Sequence, residues 1–168
     1  MKIFLISLFD EWCLGLRYLS TTLKKDGHIV KIAYLRSISE MNDTQGKDEQ
    51  GGFHCPPASV SAKDIEALLK AIEKESPEVI GLSVTSDFYG LAVTVTAKIR
   101  DLFTCPIIWG GVDPTANPDL AIQHVDYVCI GEGEHAFLEL VTALQNHTST
   151  TGIKNFWIKH QGQIYKNE

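Results

Sequence analysis

Apolar residues along the chain follow two rhythms in alternation. Short strand-like runs, of the kind that fill a buried sheet, occur at Ile3–Leu8, His28–Tyr34, Val79–Val84, Cys105–Trp109 and Tyr127–Ile130. Between them, apolar side chains recur at three- and four-residue spacing, the stripe of an amphipathic helix. These stripes are Leu16, Leu19 and Leu23; Ile65, Leu68, Leu69 and Ile72; Leu91, Val95, Ile99 and Leu102; and Phe137, Leu140, Val141 and Leu144. A shorter helix is expected within Pro114–His124. The punctuation agrees. Asp10 is a candidate N-cap for the first helix and Gly27 its end, Ser61 and Asp64 form a capping-box pattern, and Pro77 closes the helix that follows.

Five strands alternating with helices predict a parallel sheet, because right-handed crossovers place helices on both faces. The expected architecture is a flavodoxin-like (Rossmann-like) three-layer α/β sandwich with strand order 2-1-3-4-5. Two stretches break the rhythm. Ser37–Val60 is polar, carries Gly46, Gly51, Gly52, Pro56 and Pro57, and has no apolar period. Loops of that length in a compact domain are usually functional or mobile. After the polar linker His147–Gly152, Phe156–His160 and Gln163–Tyr165 flank the turn Gln161-Gly162 and read as a β-hairpin. The expected organisation is one α/β domain over residues 1–146, then a linker and hairpin over 147–168.

Composition narrows the class. A chain of 168 residues, 44% hydrophobic and 21% charged, is long enough to bury its own core. The formal net charge of −6, from 15 basic and 21 acidic residues, argues against nucleic acid or an anionic membrane as partner. No apolar run approaches the roughly 20 residues that span a bilayer. The stretch Ile3–Phe9 lacks the basic flank and cleavage site of a signal peptide. Cys13, Cys55, Cys105 and Cys129 show neither C-x-x-C nor C-x-x-x-C-x-x-C spacing, so no metal set is expected from them. A reducing cytosol is the simplest setting, and a cytoplasmic location is expected.

In open parallel sheets, ligands bind beyond the carboxyl ends of the strands. Asp10–Gly15 follow the first strand, and Ser83-Val84-Thr85-Ser86 end the third with hydroxyls able to bond an amide or phosphate. Gly110-Gly111-Val112 follow the fourth and let the backbone approach a flat or bulky ligand. Gly131-Glu132-Gly133-Glu134 follow the fifth and make an acidic corner. Singly, each reads as a tight turn or an ordinary strand end; their concentration on one edge carries the information. The letters of Gly131–Ala136 fit G-x-G-x-x-A, but they follow the fifth strand, and two carboxylates would repel a pyrophosphate. There is no Walker sequence. A phosphoacceptor receiver needs an Asp ending the third strand and a Lys after the fifth, where this chain has Ser83-Val84-Thr85 and Gly131-Glu132-Gly133. A flavodoxin's phosphate loop does not fit Asp10-Glu11-Trp12. His28, His54, His124, His135, His147 and His160 are scattered with no Ser/His/Asp order, and the His54-Cys55 pair lacks further ligands.

As a whole, the strand-end set resembles the cobalamin (vitamin B12)-binding domain, in the version that precedes radical S-adenosylmethionine cores. The family's pattern is D-x-H-x-x-G after the first strand, S-x-L at the third and G-G after the fourth. Asp10-Glu11-Trp12-Cys13-Leu14-Gly15 is similar to the first, with Trp12 in place of His. Ser83-Val84-Thr85 is similar to the second, with Thr85 in place of Leu, and Gly110-Gly111 matches the third. The likeness continues through Val112-Asp113-Pro114-Thr115, Asn117-Pro118, Asp126-Tyr127-Val128 and Gly131–Glu134, and covers about residues 1–146. The tail is similar to the hairpin that leads into a radical core.

This resemblance implies a cobalamin site. Ser83, Thr85 and the Gly110-Gly111 backbone would line the channel for the nucleotide tail, and the Asp10–Gly15 loop, with Trp12 and Leu14, would lie beneath the corrin. Val84, Ser86, Val112, Gly131, Glu132 and Gly133 would complete it. In His-bearing members the imidazole is the lower axial ligand to cobalt. The indole N–H of Trp12 is a donor only, so the implied cobalamin is base-off with no protein His ligand. Trp12 either shields the lower corrin face or packs at the helix start. S-adenosylmethionine and a [4Fe-4S] cluster would belong to a radical core in cis beyond Glu168, in a methyltransferase or tetrapyrrole cyclase-like enzyme, and this chain alone is expected to have no turnover. Three other readings stand beside this one: a degenerate docking domain without cobalamin, a free-standing corrinoid carrier, and an enzyme using the Glu132 and Glu134 corner.

Overall fold

The computed structural model describes residues 1–8, 12–35 and 60–167. The candidate cap Asp10, the His54-Cys55 pair and nearly all of the polar stretch Ser37–Val60 lie outside the described residues. Seven strands form one sheet: β1 (Lys2–Leu8), β2 (Ile29–Leu35), β3 (Val79–Ser83), β4 (Ile107–Gly110), β5 (Tyr127–Cys129), β6 (Phe156–His160) and β7 (Gln163–Lys166). Their order is β2-β1-β3-β4-β5-β6-β7. The first five run parallel in the expected 2-1-3-4-5 order. The hairpin joins the same sheet: β6 pairs antiparallel with β5, placing Tyr127 opposite Ile158 and Cys129 opposite Phe156, and β7 pairs antiparallel with β6. Phe156 and Ile158 are fully buried, so the hairpin closes the core at that edge.

Period-two alternation sorts the strand residues onto two faces. Ile3, Leu5, Val79, Ile108, Tyr127 and Cys129 pack with α1 (Leu14–Lys25) and α6 (Glu134–Gln145). Phe4, Ile6, Ile80, Leu82, Trp109 and Val128 pack with α2 (Ala62–Glu75), α3 (Tyr89–Leu102) and the short α5 (Pro118–Ala121). The turn α4 (Val112–Ala116) follows β4 at the strand ends.

Local chemistry sets the helix bounds. The N-cap of α1 is Cys13, at φ 22° and ψ 60°, three residues past the candidate Asp10, and Arg17 N–H donates to Cys13 O at 3.1 Å. At its far end His28 N–H donates to Leu23 O and Gly27 N–H to Lys24 O, both at 3.1 Å. These are the paired bonds of a Schellman ending, with Gly27 at φ 85° supplying the left-handed residue. In α2 the capping box forms as expected: Asp64 N–H donates to Ser61 Oγ at 3.2 Å and Ser61 N–H to Asp64 Oδ2 at 3.1 Å.

Two expectations need correction. Leu102 does not belong to the buried stripe of α3 but is 64% exposed. The inward face is Ala92, Val95, Thr96 and Ile99, and Phe103, where the helix ends, turns inward instead. Thr96 earns its buried place by accepting Trp109 Nε1–H at 2.9 Å. The helix expected within Pro114–His124 is divided into α4 and α5. Asn117 stands between them at φ −127° and ψ 53°, because the ring of Pro118 disfavours a helical conformation in the residue before it.

His28 marks the amino-terminal end of the sheet. It is buried, and its Nδ1 lies 3.1 Å from the Met1 amino group, while Asp26 Oδ2 is 3.4 Å from Nε2. Burial first, and then the Met1 amino group, hold the imidazole pKa below its ordinary value, against the opposing pull of Asp26 and Glu78. The folded chain therefore takes up this proton less readily than the unfolded one. The contribution of His28 to stability is full above the ordinary value of 6.5 and falls as pH drops below it, until the folded imidazole is itself protonated. Urea unfolding at about pH 7.5 and about pH 5.5 should show a smaller loss of midpoint in His28→Gln than in the parent chain. Equal losses would contradict this account.

Candidate functional site

A cavity of about 520 Å³ opens at the carboxyl ends of the strands, between the sheet and helices α1 and α6. The strand residues facing α1 and α6 explain the space. One row across the sheet is Leu5–Gly81–Ile108, paired strand to strand. The next row toward the carboxyl edge is Ser7–Ser83–Gly110. On the opposite face the intervening positions hold Ile6, Leu82 and Trp109, all large and buried. Small residues on one face only therefore hollow the sheet on the side of α1 and α6. The rows are two residues apart, a depth of about 7 Å. At the inner row, a side chain added to Gly81 would meet Leu5 Cδ2 at 2.9 Å and the Phe137 ring at 3.5 Å, so these two residues close the floor. Leu16 and Leu19 of α1 and Phe137 of α6 complete the apolar walls.

The mouth is built from strand-end loops. Gly111, at φ 109° and ψ −168°, occupies a backbone region open essentially to glycine alone. A Cβ there would lie 2.7 Å from Val84 O. Val84 N–H donates to Gly110 O at 2.8 Å, and Asp113 N–H donates to Val84 O at 3.2 Å. Thr115 ties this loop to the next: its hydroxyl donates to Gly111 O at 2.8 Å and accepts Gly131 N–H at 3.0 Å. Glu132 and Glu134 line the rim beside Cys129. Burial, reinforced by the charges of Glu134 and Glu132, pushes the Cys129 thiol up to about 12. It stays protonated at neutral pH and packs as a small element of the wall. Among the described residues, no group of three or more His, Cys, Asp or Glu is placed to hold a metal ion.

Of the residues singled out in the sequence, Gly15, Ser83, Gly110, Gly111, Val112, Gly131, Glu132 and Gly133 line this one cavity. Asp10 lies outside the described residues. Trp12 and Leu14 stand just before Gly15 but are 71% and 64% exposed and are not part of the cavity wall. Val84 points its side chain into the opposite core. Thr85 stands before the short 3-10 turn Ser86–Phe88 with no side-chain cap bond, Ser86 Oγ donates to Asp113 Oδ1 at 2.9 Å, and neither residue lines the cavity. The lining that sequence reasoning missed is the deep part, Leu5, Leu16, Leu19, Gly81, Ile108 and Phe137, together with Leu82, Ala116 and Cys129. The glycine in Val79-Ile80-Gly81-Leu82-Ser83 was the available signal, a break in an otherwise bulky strand.

A doubly covered parallel sheet with a hollow at its carboxyl edge defines a ligand-binding α/β domain. The family profile described as B12 binding domain matches residues 7–141, and the chain belongs to that family. It is 30% identical over 105 residues to an uncharacterised methyltransferase of Pyrococcus horikoshii, covering 60% of this chain and 23% of that protein. Its fold is similar to that of the radical S-adenosylmethionine methyltransferase TsrM from Kitasatospora setae, at TM-score 0.71 and 19% identity over 98% of this chain and 29% of that one. It is likewise similar to the cobalamin-dependent S-adenosylmethionine radical enzyme OxsB, at TM-score 0.72 and 17% identity over 99% of this chain and 22% of that one. The chain thus spans less than a third of each of these proteins. No described helix is long and apolar enough to cross a membrane.

Gly111 tests the construction of the mouth. Gly111→Ala should lower stability by roughly 1–3 kcal/mol, the scale of a strained backbone conformation. Gly110→Ala, whose Cβ would meet only Cys129 Cβ at an ordinary 3.5 Å, should cost less. Denaturant midpoints of the two variants check the order; equal midpoints would contradict the assigned crossing.

Proposed function

We propose that this domain holds cobalamin base-off, with no protein imidazole on cobalt, and presents it to a radical S-adenosylmethionine core in cis. The observation that carries the reading is the hollow beneath Ser83, Gly110 and Gly111 in a chain of the B12-binding family. The fit is physical. A cavity of about 520 Å³ takes the nucleotide tail but not a corrin, which must lie over the mouth. There Val112, Leu14 and Trp12 offer apolar surface that is 72%, 64% and 71% exposed. Gly111 and Gly110 let the tail approach the backbone, and Ser83 offers a hydroxyl at the neck. Gly131, Glu132 and Gly133 border the same mouth, and Gly15 borders it from α1. Val84, Thr85 and Ser86 act from behind, through Gly110, the 3-10 turn and Asp113. The resemblance that sets Trp12 and Leu14 beneath the ring also includes Asp10, which lies outside the described residues.

When bound, the cofactor supplies the cobalt chemistry, and the protein's part is to bind, orient and shield it. S-adenosylmethionine and the [4Fe-4S] cluster would sit in the separate core. Resemblance to TsrM and to the Pyrococcus protein favours a methyltransferase as the parent over a tetrapyrrole cyclase. A cytoplasmic location belongs to the same proposal. A second reading, a docking domain without cobalamin, draws on the exposed apolar residues Trp12, Leu14 and Tyr18, the last 66% exposed.

Titration with hydroxocobalamin separates the two. The chain should bind it and give a base-off visible spectrum. Gly110→Val should abolish the change while unfolding at nearly the parent's denaturant midpoint, because its added methyls enter the mouth and not the core. No spectral change at high cobalamin would overturn the cobalamin reading in favour of docking.

A further variant tests the position of the α1 loop. Trp12→His should bring an imidazole to the cobalt and shift the bound spectrum to that of a His-ligated corrinoid. An unchanged spectrum would remove Trp12 from the lower face.

A further inference from the structure

We infer that the deep end of the cavity selects the chemical class of the cofactor's lower base, accepting an apolar aromatic base such as dimethylbenzimidazole and discriminating against a purine such as adenine. This rests on the cobalamin reading above and adds to it the identity of the corrinoid.

The cavity is graded in polarity along its depth. Its polar lining side chains, Ser83, Thr115, Glu132 and Glu134, all stand at or beyond the carboxyl ends of the strands. One row further in, the floor is Leu5, Gly81 and Ile108, and the walls are Leu16, Leu19 and Phe137. These are hydrocarbon surfaces with no side-chain donor or acceptor. Their strand backbone groups are no help either. β1, β3 and β4 each have a neighbour on both sides, so the amides and carbonyls of the floor row are committed to the ladder. At the mouth, beside Gly110 and Gly133, Cys129 presents a protonated thiol, a weak donor at best.

A flat ring inserted to this depth gives up its water. Dimethylbenzimidazole meets the floor with C–H edges and two methyl groups and loses little. Adenine carries an exocyclic amino group and ring nitrogens that would be left without partners. A buried polar group without a partner pays its full desolvation cost. Adenine is also the weaker ligand for cobalt, so its corrinoid is base-off more readily. If ease of detachment alone governed binding, the adenine form would bind better. A preference for the benzimidazole form therefore reports the floor.

The test measures dissociation constants of the 168-residue chain for three corrinoids: cobalamin, its adenine-based analogue, and cobinamide, which has no lower base. Cobalamin should bind at least about tenfold more tightly than the adenine form, equivalent to about 1.4 kcal/mol, and more tightly than cobinamide. Two variants check the mechanism. Gly81→Ala raises the floor and should weaken both base-bearing corrinoids while leaving cobinamide unchanged. Leu19→Gln places an amide on the wall, in a residue type that suits a helix, and should narrow the gap between cobalamin and the adenine form. Adenine-form binding equal to or tighter than that of cobalamin would overturn the inference and leave the cobalamin reading standing. So would equal binding of cobinamide and cobalamin, which would show that the tail does not enter. Failure of all three corrinoids to bind would overturn the cobalamin reading and this inference with it.

Discussion

The crossing of Gly111 over Val84 is the constraint on which the rest of the site depends. The two backbones come so close that a single added carbon at Gly111 would sit 2.7 Å from Val84 O. Both polar groups of Val84 are used in the contact, its N–H by Gly110 O and its carbonyl by Asp113 N–H. This joins the ends of β3 and β4 and keeps Ser83 level with Gly110. The join spreads outward. Asp113 Oδ1 accepts from Ser86 on one side and from Asn117 Nδ2 at 3.2 Å on the other. Thr115 then carries the connection to Gly131, after β5. Three strand ends that come from distant parts of the sequence thus act as one rim.

A rim of this kind needs a rigid support, and the opposite face of the sheet provides it. Trp109 is fully buried directly between the two cavity-lining residues of β4, Ile108 and Gly110. Its N–H is held by Thr96, its ring stacks on His124 with centroids 5.5 Å apart, and Tyr89 meets it edge-on at 5.9 Å. The Tyr89 hydroxyl in turn lies 3.0 Å from His124 Nε2. Large, hydrogen-bonded aromatic residues thus fill one side of β4 while the other side is hollow. A cavity forgoes packing contacts, which costs stability. Dense packing on the far side offsets that loss and fixes the strand that borders the cavity.

Much of this architecture was legible in the sequence, and the reasons it was legible are local. Alternating run and stripe marked the parallel strands and helices, Ser61 and Asp64 marked a capping box, and Gly27 marked a helix end. Each depends on residues within a few positions of one another. Glycine pairs at strand ends placed the mouth of the site for the same reason. The deep half of the cavity was not legible, because it depends on which residues stand side by side across the sheet. Gly81 becomes a floor only beside Leu5 and beneath Phe137, at separations no pattern along the chain reports. The joining of β6 to β5 is likewise a long-range pairing, and the hairpin's own sequence showed only that it was a hairpin. The setting of Ser86 was not legible either, because a strand-end hydroxyl can face a ligand or brace a loop, and here the chain curls into a 3-10 turn that aims Ser86 at Asp113.

The chemistry of the wall suits it to enclose an apolar group. Of the groups that line the cavity, the carboxylates stand at the rim, the hydroxyl of Thr115 is committed to two backbone partners, and the one thiol is held protonated by burial and by its acidic neighbours. Below them, leucine, isoleucine, phenylalanine and glycine exclude water and fix a shape. Trp12 extends that character to the segment before α1, since an indole brings apolar area and a donor but no lone pair for a metal. On the proposed reading, a corrinoid held here would be gripped by its tail in the hollow while its ring lay over the rim. Its reactive face would then be turned away from this sheet, so the partner that uses it must approach from outside the domain.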